Sequence, residues 1–332
     1  MAARPWHVGV SYFGNRDPRH VDRDLAEMAQ AGLTFVVHTF SENDLAFYAD
    51  TMAEIVARSH HHGLEVFLDP WGVGRIFGGE AFSDFALRHR NANQVSAEGD
   101  PLPAACPTHP ETREFLHHWV EAAARTGADG VFFDEPHFYH HADQHGCWCE
   151  ACQRAWREEQ GRPLPQTFTP EMRRFQMDRL VALIQELARH AKDLGLRTAL
   201  CLLPHQEEED SWPRFFSLPE LDIVGTDPYW HNPWQQLTGE AVGRHVEAYA
   251  RKVAALAQAH GKEPQIWIQA FRIPAGTEED VARAVHAAAK AGVRNLAAWS
   301  FRGTAFMSSI RSEQPEVVWR TLIRAYQEVR QT

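Results

Sequence analysis

Asp134 and Glu135 stand side by side in DGVFFDEP, directly behind an apolar run suited to burial. Two close carboxyls repel one another, which raises the pKa of at least one and keeps a proton available for donation near neutral pH. Other acids end similar runs, Asp69 in LEVFLDPW and Asp227 in LDIVGTDPYW. Around them come Tyr12, Trp71, Tyr229, Trp230 and Trp299, whose flat faces suit the C–H face of a pyranose and whose polar edges can meet hydroxyls. Carboxyls with aromatics, without a nucleophile elbow or a cofactor fingerprint, point to glycosidic-bond hydrolysis: one carboxylic acid protonates the leaving oxygen and a second carboxylate faces it. Glu135 is the expected acid/base, because its longer arm reaches farther from the strand end. Asp227 is the best candidate for the second acid, with Asp134 as the alternative. Since strand side chains alternate in direction, Asp134 and Glu135 cannot both point straight into one mouth; one faces the sugar, and the other sits against its neighbours or turns with the loop.

The elements that must position these groups recur along the chain: an amphipathic helix, a Gly, then a short β-branched and aromatic run ending in polar residues. Helices are expected to stop at Gly32, Gly63, Gly127, Gly195, Gly261 and Gly292. The strands read HVGVSYF, LTFVVHTF, LEVFLDPW, DGVFFDEP, LRTALCLLPH, LDIVGTDPYW, PQIWIQAF and RNLAAWSFR. Eight β-then-α units over 1–332 predict a single-domain (β/α)8 TIM barrel, with only the helix in SWPRFFSLPE short. A doubly wound open sheet has the same alternation, but strand 1 runs into SYFGNRDP without a Gly-rich phosphate loop. In a barrel the strand C-termini converge on one mouth. That adds His38, His137, His205, Gln269, Arg272 and Arg302 to the candidate substrate-binding residues, with the alternative that lone histidines are hydrogen-bonded rim groups and strand-end polar residues are helix caps. The long insertions, 70–109 and 136–170, follow strands 3 and 4 on that side. In the first, Arg75 either meets an anionic substituent or pairs with Glu80.

A net charge of -11 opposes nucleic-acid phosphate and anionic lipid, and no uncharged run approaches ~20 residues, so neither nucleic acid nor membrane is an expected partner. The chain reads as soluble and cytoplasmic, with a small carbohydrate as substrate; a homo-oligomer is compatible with it. Five cysteines, three of them in CWCEAC, fit a metal site in a reducing compartment better than a disulfide framework. Cys147, Cys149 and Cys152 bring three thiolates together, Cys106 is free to supply a fourth, and Cys201 lies in apolar strand 5 as a packing residue. Four Cys ligands leave no open position, so the expected Zn2+ is structural, tying the two loops together over about 104–155.

CPTHPETREF, DGVFFDEP and CWCEACQRAWREEQG, in that order, resemble the zinc-bearing family 42 β-galactosidases of the clan A (β/α)8 glycoside hydrolases, over residues 105–161. The resemblance implies Cys106, Cys147, Cys149 and Cys152 as zinc ligands and Glu135 as acid/base. Two positions depart from it: Asp134 stands where that family has Asn, and Gln269 stands at the end of strand 7 where the clan has its nucleophilic Glu. A pairing of strand 4 with strand 6 instead resembles the α-galactosidase and α-glucosidase clans, in which Asp134 or Glu135 would attack and Asp227 donate. A third scheme, similar to barrel hexosaminidases, has Asp134 orient an acetamido group while Glu135 donates. Two other classes remain open. One is a metal-dependent barrel isomerase or hydrolase with His38, Asp69, Glu135, His205 and Asp227 around a divalent ion; the other is a non-catalytic carbohydrate-binding barrel.

Overall fold

The computed structural model describes residues 5–141, 144–204 and 211–331. The eight apolar runs form one closed, all-parallel barrel of β1 (His7–Tyr12), β2 (Phe35–Thr39), β3 (Glu65–Asp69), β4 (Gly130–Asp134), β5 (Arg197–Leu202), β6 (Ile223–Thr226), β7 (Glu263–Gln269) and β8 (Asn295–Trp299). Each strand pairs with its neighbours in sequence, and β8 closes onto β1 with Asn295 opposite His7. Outside run α1 (Pro18–Gln30), α2 (Ala49–His61), α3 (Pro110–Arg125), α4 (Pro170–Asp193), α5 (Trp212–Phe216), α6 (Glu240–His260), α7 (Glu279–Lys290) and α8 (Pro315–Arg330). The (β/α)8 barrel expected from the alternation is the fold observed, with the short helix where SWPRFF stands. The glycine stops hold as well: Gly261, left-handed at φ 68°, closes α6 with its amide on the Ala257 carbonyl.

The strands are apolar on both faces because both faces are covered. Val36, Val66, Val131, Leu200, Val224, Ile266 and Leu296 pack on the helices. Their neighbours Phe35, Val37, Phe67, Phe132, Ala199, Cys201, Ile223, Trp267, Ala297 and Trp299 fill the barrel interior. Truncating one of these, Phe132→Ala, would cost roughly 3–5 kcal/mol in lost burial and cavity. Cys201 is one of the fillers, the packing role its strand suggested.

The two ends of this apolar plug differ. At the N-terminal end His7, Glu65, Arg197, Glu263 and Asn295 form a network, with His7 Nε2 2.9 Å from Glu65 Oε2 and Asn295 Nδ2 donating to Glu263 Oε1 at 2.7 Å. There every acid has a partner. At the C-terminal end lie both insertions. The first holds helix Asp84–Arg88 and the ribbon Asn93–Val95 with Pro101–Ala105; the second holds the ribbon His140–His141 with Gln144–His145 and helix Glu150–Gln160. Buried Gln94 joins them, donating to the Ala105 carbonyl and accepting from the Tyr139 amide, each at 3.0 Å. Among the described residues no helix is long and apolar enough to cross a membrane.

Candidate active site

Strand alternation decides which terminal side chains enter the mouth. Asp69 shares the inward face of β3 with Phe67, Asp134 that of β4 with Phe132, and Asp227 that of β6 with Ile223. Glu135 would then point outward, but its φ of 41° places it in the left-handed region, at a cost of order 1–3 kcal/mol for a residue with a Cβ. Its amide still donates to the Cys201 carbonyl at 3.0 Å, continuing the pairing with β5, while its side chain turns back into the mouth. This turn is how a strand can end on two carboxyls that reach toward one point. Both reach the loop after β3: a Cβ placed on Gly78 would lie 2.5 Å from Asp134 Oδ2 and 2.7 Å from Glu135 Oε2. The Gly78 amide holds the loop there by donating to the Asp134 carbonyl at 3.0 Å.

The carboxyls of Glu135 and Asp227 come within reach of each other, close enough for each to alter the other's hold on a proton. Burial pushes both above the usual carboxylate range; for Asp227 the charge of Glu135 and the bond to it add to this. Asp134 is likewise pushed up, by burial and then by Glu135 and Asp69. Asp69 is fully buried and pushed up by burial, with Glu135 and Glu80 adding to it. Among the described residues neither of its carboxyl oxygens, nor Asp227 Oδ1, has a hydrogen-bond partner.

Aromatic rings floor and wall the cavity. Phe13 stacks between Trp71 and Trp299, at 5.5 and 5.2 Å between centroids, above Trp267. Trp71 donates its indole N–H to Glu80 Oε2 at 3.2 Å, and its amide to the Asp69 carbonyl at 2.7 Å. Tyr229 donates its amide to the Asp227 carbonyl at 2.6 Å and stands edge-on to Phe271. On one side of the Trp71–Glu80 bond lies a cavity of about 990 Å3 bordered by Glu80, Phe82, His137 and Tyr139; on the other, one of about 440 Å3 bordered by Ser11, Phe13, Trp71 and Phe306. His137 Nδ1 sits 2.7 Å from the Glu135 carbonyl.

Several of the expected mouth residues lie elsewhere, and strand parity is the reason for two. Tyr12 and His38 fall on outward positions: Tyr12 donates its hydroxyl to Asp24 of α1 at 2.6 Å, and His38 Nε2 meets Ser59 of α2 at 3.0 Å. Burial lowers the His38 pKa to about 3, so the ring is neutral. Trp230 is buried against the helix layer, and Arg302 grips Glu27 of α1 through Nε at 3.0 Å. Arg272 is exposed, with its amide on the Ile310 carbonyl. Gln269 is fully buried and committed: Oε1 accepts from the amides of Trp230 and His231, while Nε2 donates to the carbonyls of His231 and Phe271. Arg75 borders the larger cavity together with Glu80 but is not ion-paired with it among the described residues; its guanidinium donates to the carbonyls of Gly79 and Ala81. His205 lies outside the described residues. Gly78 and Glu80 went unrecognised as site residues in the sequence, where the GGE after strand 3 was their only signal.

Beside the mouth, Cys106, Cys147, Cys149 and Cys152 are all buried and bring their sulfurs within 4.8 Å of one another. Cys106 Sγ is 3.5 Å from both Cys152 Sγ and Cys149 Sγ, too long for a disulfide and close to the ~3.8 Å edge of a tetrahedron with ~2.3 Å metal–sulfur bonds. Burial and the surrounding thiols raise the Cys106 pKa, whereas hydrogen bonds from Cys106, Cys147 and Cys152 draw Cys149 well down, toward thiolate. These residues could hold a metal. The set His38, Asp69, Glu135, His205 and Asp227 does not assemble as a metal site among the described residues, because His38 faces α2.

No family model matches the chain, and no curated protein is similar to it in sequence. Its fold is shared with solved structures. An endo-1,4-β-mannanase from Rhizomucor miehei superposes with a TM-score of 0.67 at 9% identity, over 100% of this chain and 97% of the mannanase. The catalytic domain of β-amylase from Paenibacillus polymyxa gives 0.64 at 10% identity, over 98% and 99%. A D-allulose 3-epimerase from Methylomonas sp. gives 0.53 at 11% identity, over 99% and 100%. One barrel thus carries hydrolytic and isomerising chemistry, and the chemistry here must be argued from the site.

Proposed function

We propose that this chain is a glycoside hydrolase in which Glu135 is the acid/base and Asp227 the facing carboxylate. The single observation that carries the reading is the convergence of these two carboxyls, one from β4 and one from β6, within reach of each other in a mouth walled by Trp71, Trp299 and Tyr229. Glycosidic cleavage needs a proton for the leaving oxygen and a carboxylate on the other side of the anomeric carbon. A pair that holds one proton between two groups carries both forms at once. A sugar entering between them would take the proton from Glu135 at the leaving oxygen, leaving Asp227 ionised to attack the anomeric carbon or to activate a water. Asp134, beside Glu135 under Gly78, is the positioning acid. That a mannanase and a β-amylase are among the similar barrels favours this class over an isomerase.

The four thiolates would hold Zn2+ as a structural ion, with Cys106 tying the first insertion to Cys147, Cys149 and Cys152 of the second. This is the part of the molecule that supports the family 42 resemblance. Five cysteines, none in a disulfide, fit a reducing compartment such as the cytoplasm.

The test is hydrolysis of α- and β-aryl glycosides and short oligosaccharides by the wild type, Glu135→Gln and Asp227→Asn. Each substitution should lower kcat/KM by at least about a hundredfold without changing the melting temperature by more than a few degrees. Activity retained in both variants would end the proposal.

A further inference from the structure

Two carboxyl groups suffice for glycosidic cleavage; this mouth has Asp69, Asp134 and Glu80 in addition to Glu135 and Asp227. The charges that act on Asp69 are those of Glu135 and Glu80, and those on Asp134 are Glu135, Asp69 and Glu80; among the described residues no lysine, arginine or histidine is among them. Arg75, the nearest cation in the loop sequence, is engaged by backbone carbonyls.

Asp69 gives this excess a direction. Its side chain is 0% exposed, it ends β3 on the face that points into the barrel, and among the described residues neither oxygen has a partner. A carboxyl taken out of water without a hydrogen bond is unfavourable by several kcal/mol, and such groups in folded proteins mark places where something else supplies the donor. A sugar hydroxyl can donate one bond but leaves the charge uncompensated. A primary ammonium brings three donors and a full positive charge. A divalent ion fits less well, because the one described group of three or more candidate ligands that converges to metal distances is the set of thiols.

The chemistry also fixes where on the sugar the amine would lie. Asp134 and Glu135 are neighbours in sequence, and their oxygens approach the same point above Gly78. If Glu135 acts at the bond to C1, the carboxyl beside it addresses the substituent on C2. Resting on the glycosidase reading, we infer that the sugar bound for cleavage is a 2-amino-2-deoxyhexose with a free, protonated amine, held by Asp69 and Asp134.

Binding of free monosaccharides, which the protein cannot cleave, tests this independently of turnover. Glucosamine, N-acetylglucosamine and glucose, and the three galacto counterparts, are titrated by NMR at a pH where the amine is protonated. The amino sugar of one configuration should bind at least about tenfold tighter than its neutral and N-acetylated counterparts, since a charge-assisted bond outweighs a neutral one. In Asp69→Asn, and separately in Asp134→Asn, that ratio should fall toward one while the melting curve stays cooperative. Equal affinities, tightest binding of the N-acetyl sugar, or a preference that survives both substitutions would overturn it. So would Mg2+ or Ca2+ binding that Asp69→Asn removes in the absence of any amine preference. Amine preference without hydrolysis of any glycoside would sink the hydrolase reading and leave the amine site standing. Hydrolysis of neutral glycosides without amine preference would do the reverse.

Discussion

The carboxyl of Glu135, at the end of β4, and that of Asp227, at the end of β6, come within reach of each other across the barrel mouth, each altering the other's hold on its proton. Both are pushed above the carboxylate range, so each binds its proton more tightly in the folded chain than in the unfolded one. The proton on the pair is therefore present below the folded values and is lost as pH rises through them. The alkaline limb of a kcat/KM profile should accordingly fall above the ordinary carboxyl pKa of about 4. Stability follows the same sign: the contribution from holding these protons is full below the unfolded pKa and declines as pH rises through the folded one. Rate profiles and melting curves for wild type and Asp227→Asn check both. An alkaline limb at the ordinary carboxyl pKa would show that the pair does not supply the acid.

Gly78 is where the loop after β3 touches the acids. Adding one methyl group there puts a carbon 2.5 Å from Asp134 Oδ2 and 2.7 Å from Glu135 Oε2. Both contacts are ends of side chains, so they can move, and what moves is the acid/base Glu135 together with the positioning acid Asp134. Displacing a reacting group by about 1 Å costs up to ~100-fold in rate. Gly78→Ala should therefore lower kcat at least about tenfold while the melting temperature shifts by only a few degrees. A fully active Gly78→Ala protein would mean that these carboxyls do not need their present positions.

The thiol cluster predicts a metal count. Purified protein should carry one zinc per chain, and Cys106→Ser should release it, because Cys106 alone comes from the first insertion. Structural zinc contributes directly to folding, so chelation or Cys106→Ser should lower the melting temperature by several degrees or more. Metal analysis with parallel melting curves decides it. Melting unchanged by removal of the metal would leave the cluster as four buried thiols with no structural ion.

What the sequence made legible follows from the range of the physics involved. Helix stops such as Gly261 and the order of the eight strands are local signals, and the barrel followed from them. The C-x-C-x2-C spacing is local too, and Cys106 joined it because its segment had no other task. Parity was not legible: β2 reads FVVHT, apolar on both faces, so nothing in the run says that Val37 faces inward and His38 outward. Nor was the left-handed turn at Glu135, which brings the acid/base candidate back into the mouth and depends on β5 accepting its amide. Gly78 and Glu80 reach the site only because a long loop folds back, and no pattern within the loop announces that contact.

Gln269 tests where the second carboxylate belongs. It ends β7, the position at which the clan A hydrolases that the chain resembles carry a nucleophilic Glu. Its Oε1 accepts from the amides of Trp230 and His231 at 2.9 and 3.0 Å, and its Nε2 donates to the carbonyls of His231 and Phe271 at 2.8 and 3.1 Å. A glutamate would keep the first two bonds but set a carboxylate oxygen against two carbonyls, at about 1–3 kcal/mol or more for the buried groups left without a donor. The strain would pass through Phe271 to Tyr229, whose amide rests on the Asp227 carbonyl. Gln269→Glu should therefore melt lower and turn over more slowly, with the larger loss in kcat because Asp227 is displaced. Faster turnover at an unchanged melting temperature would instead make the end of β7 the seat of the nucleophile and remove Asp227 from that role.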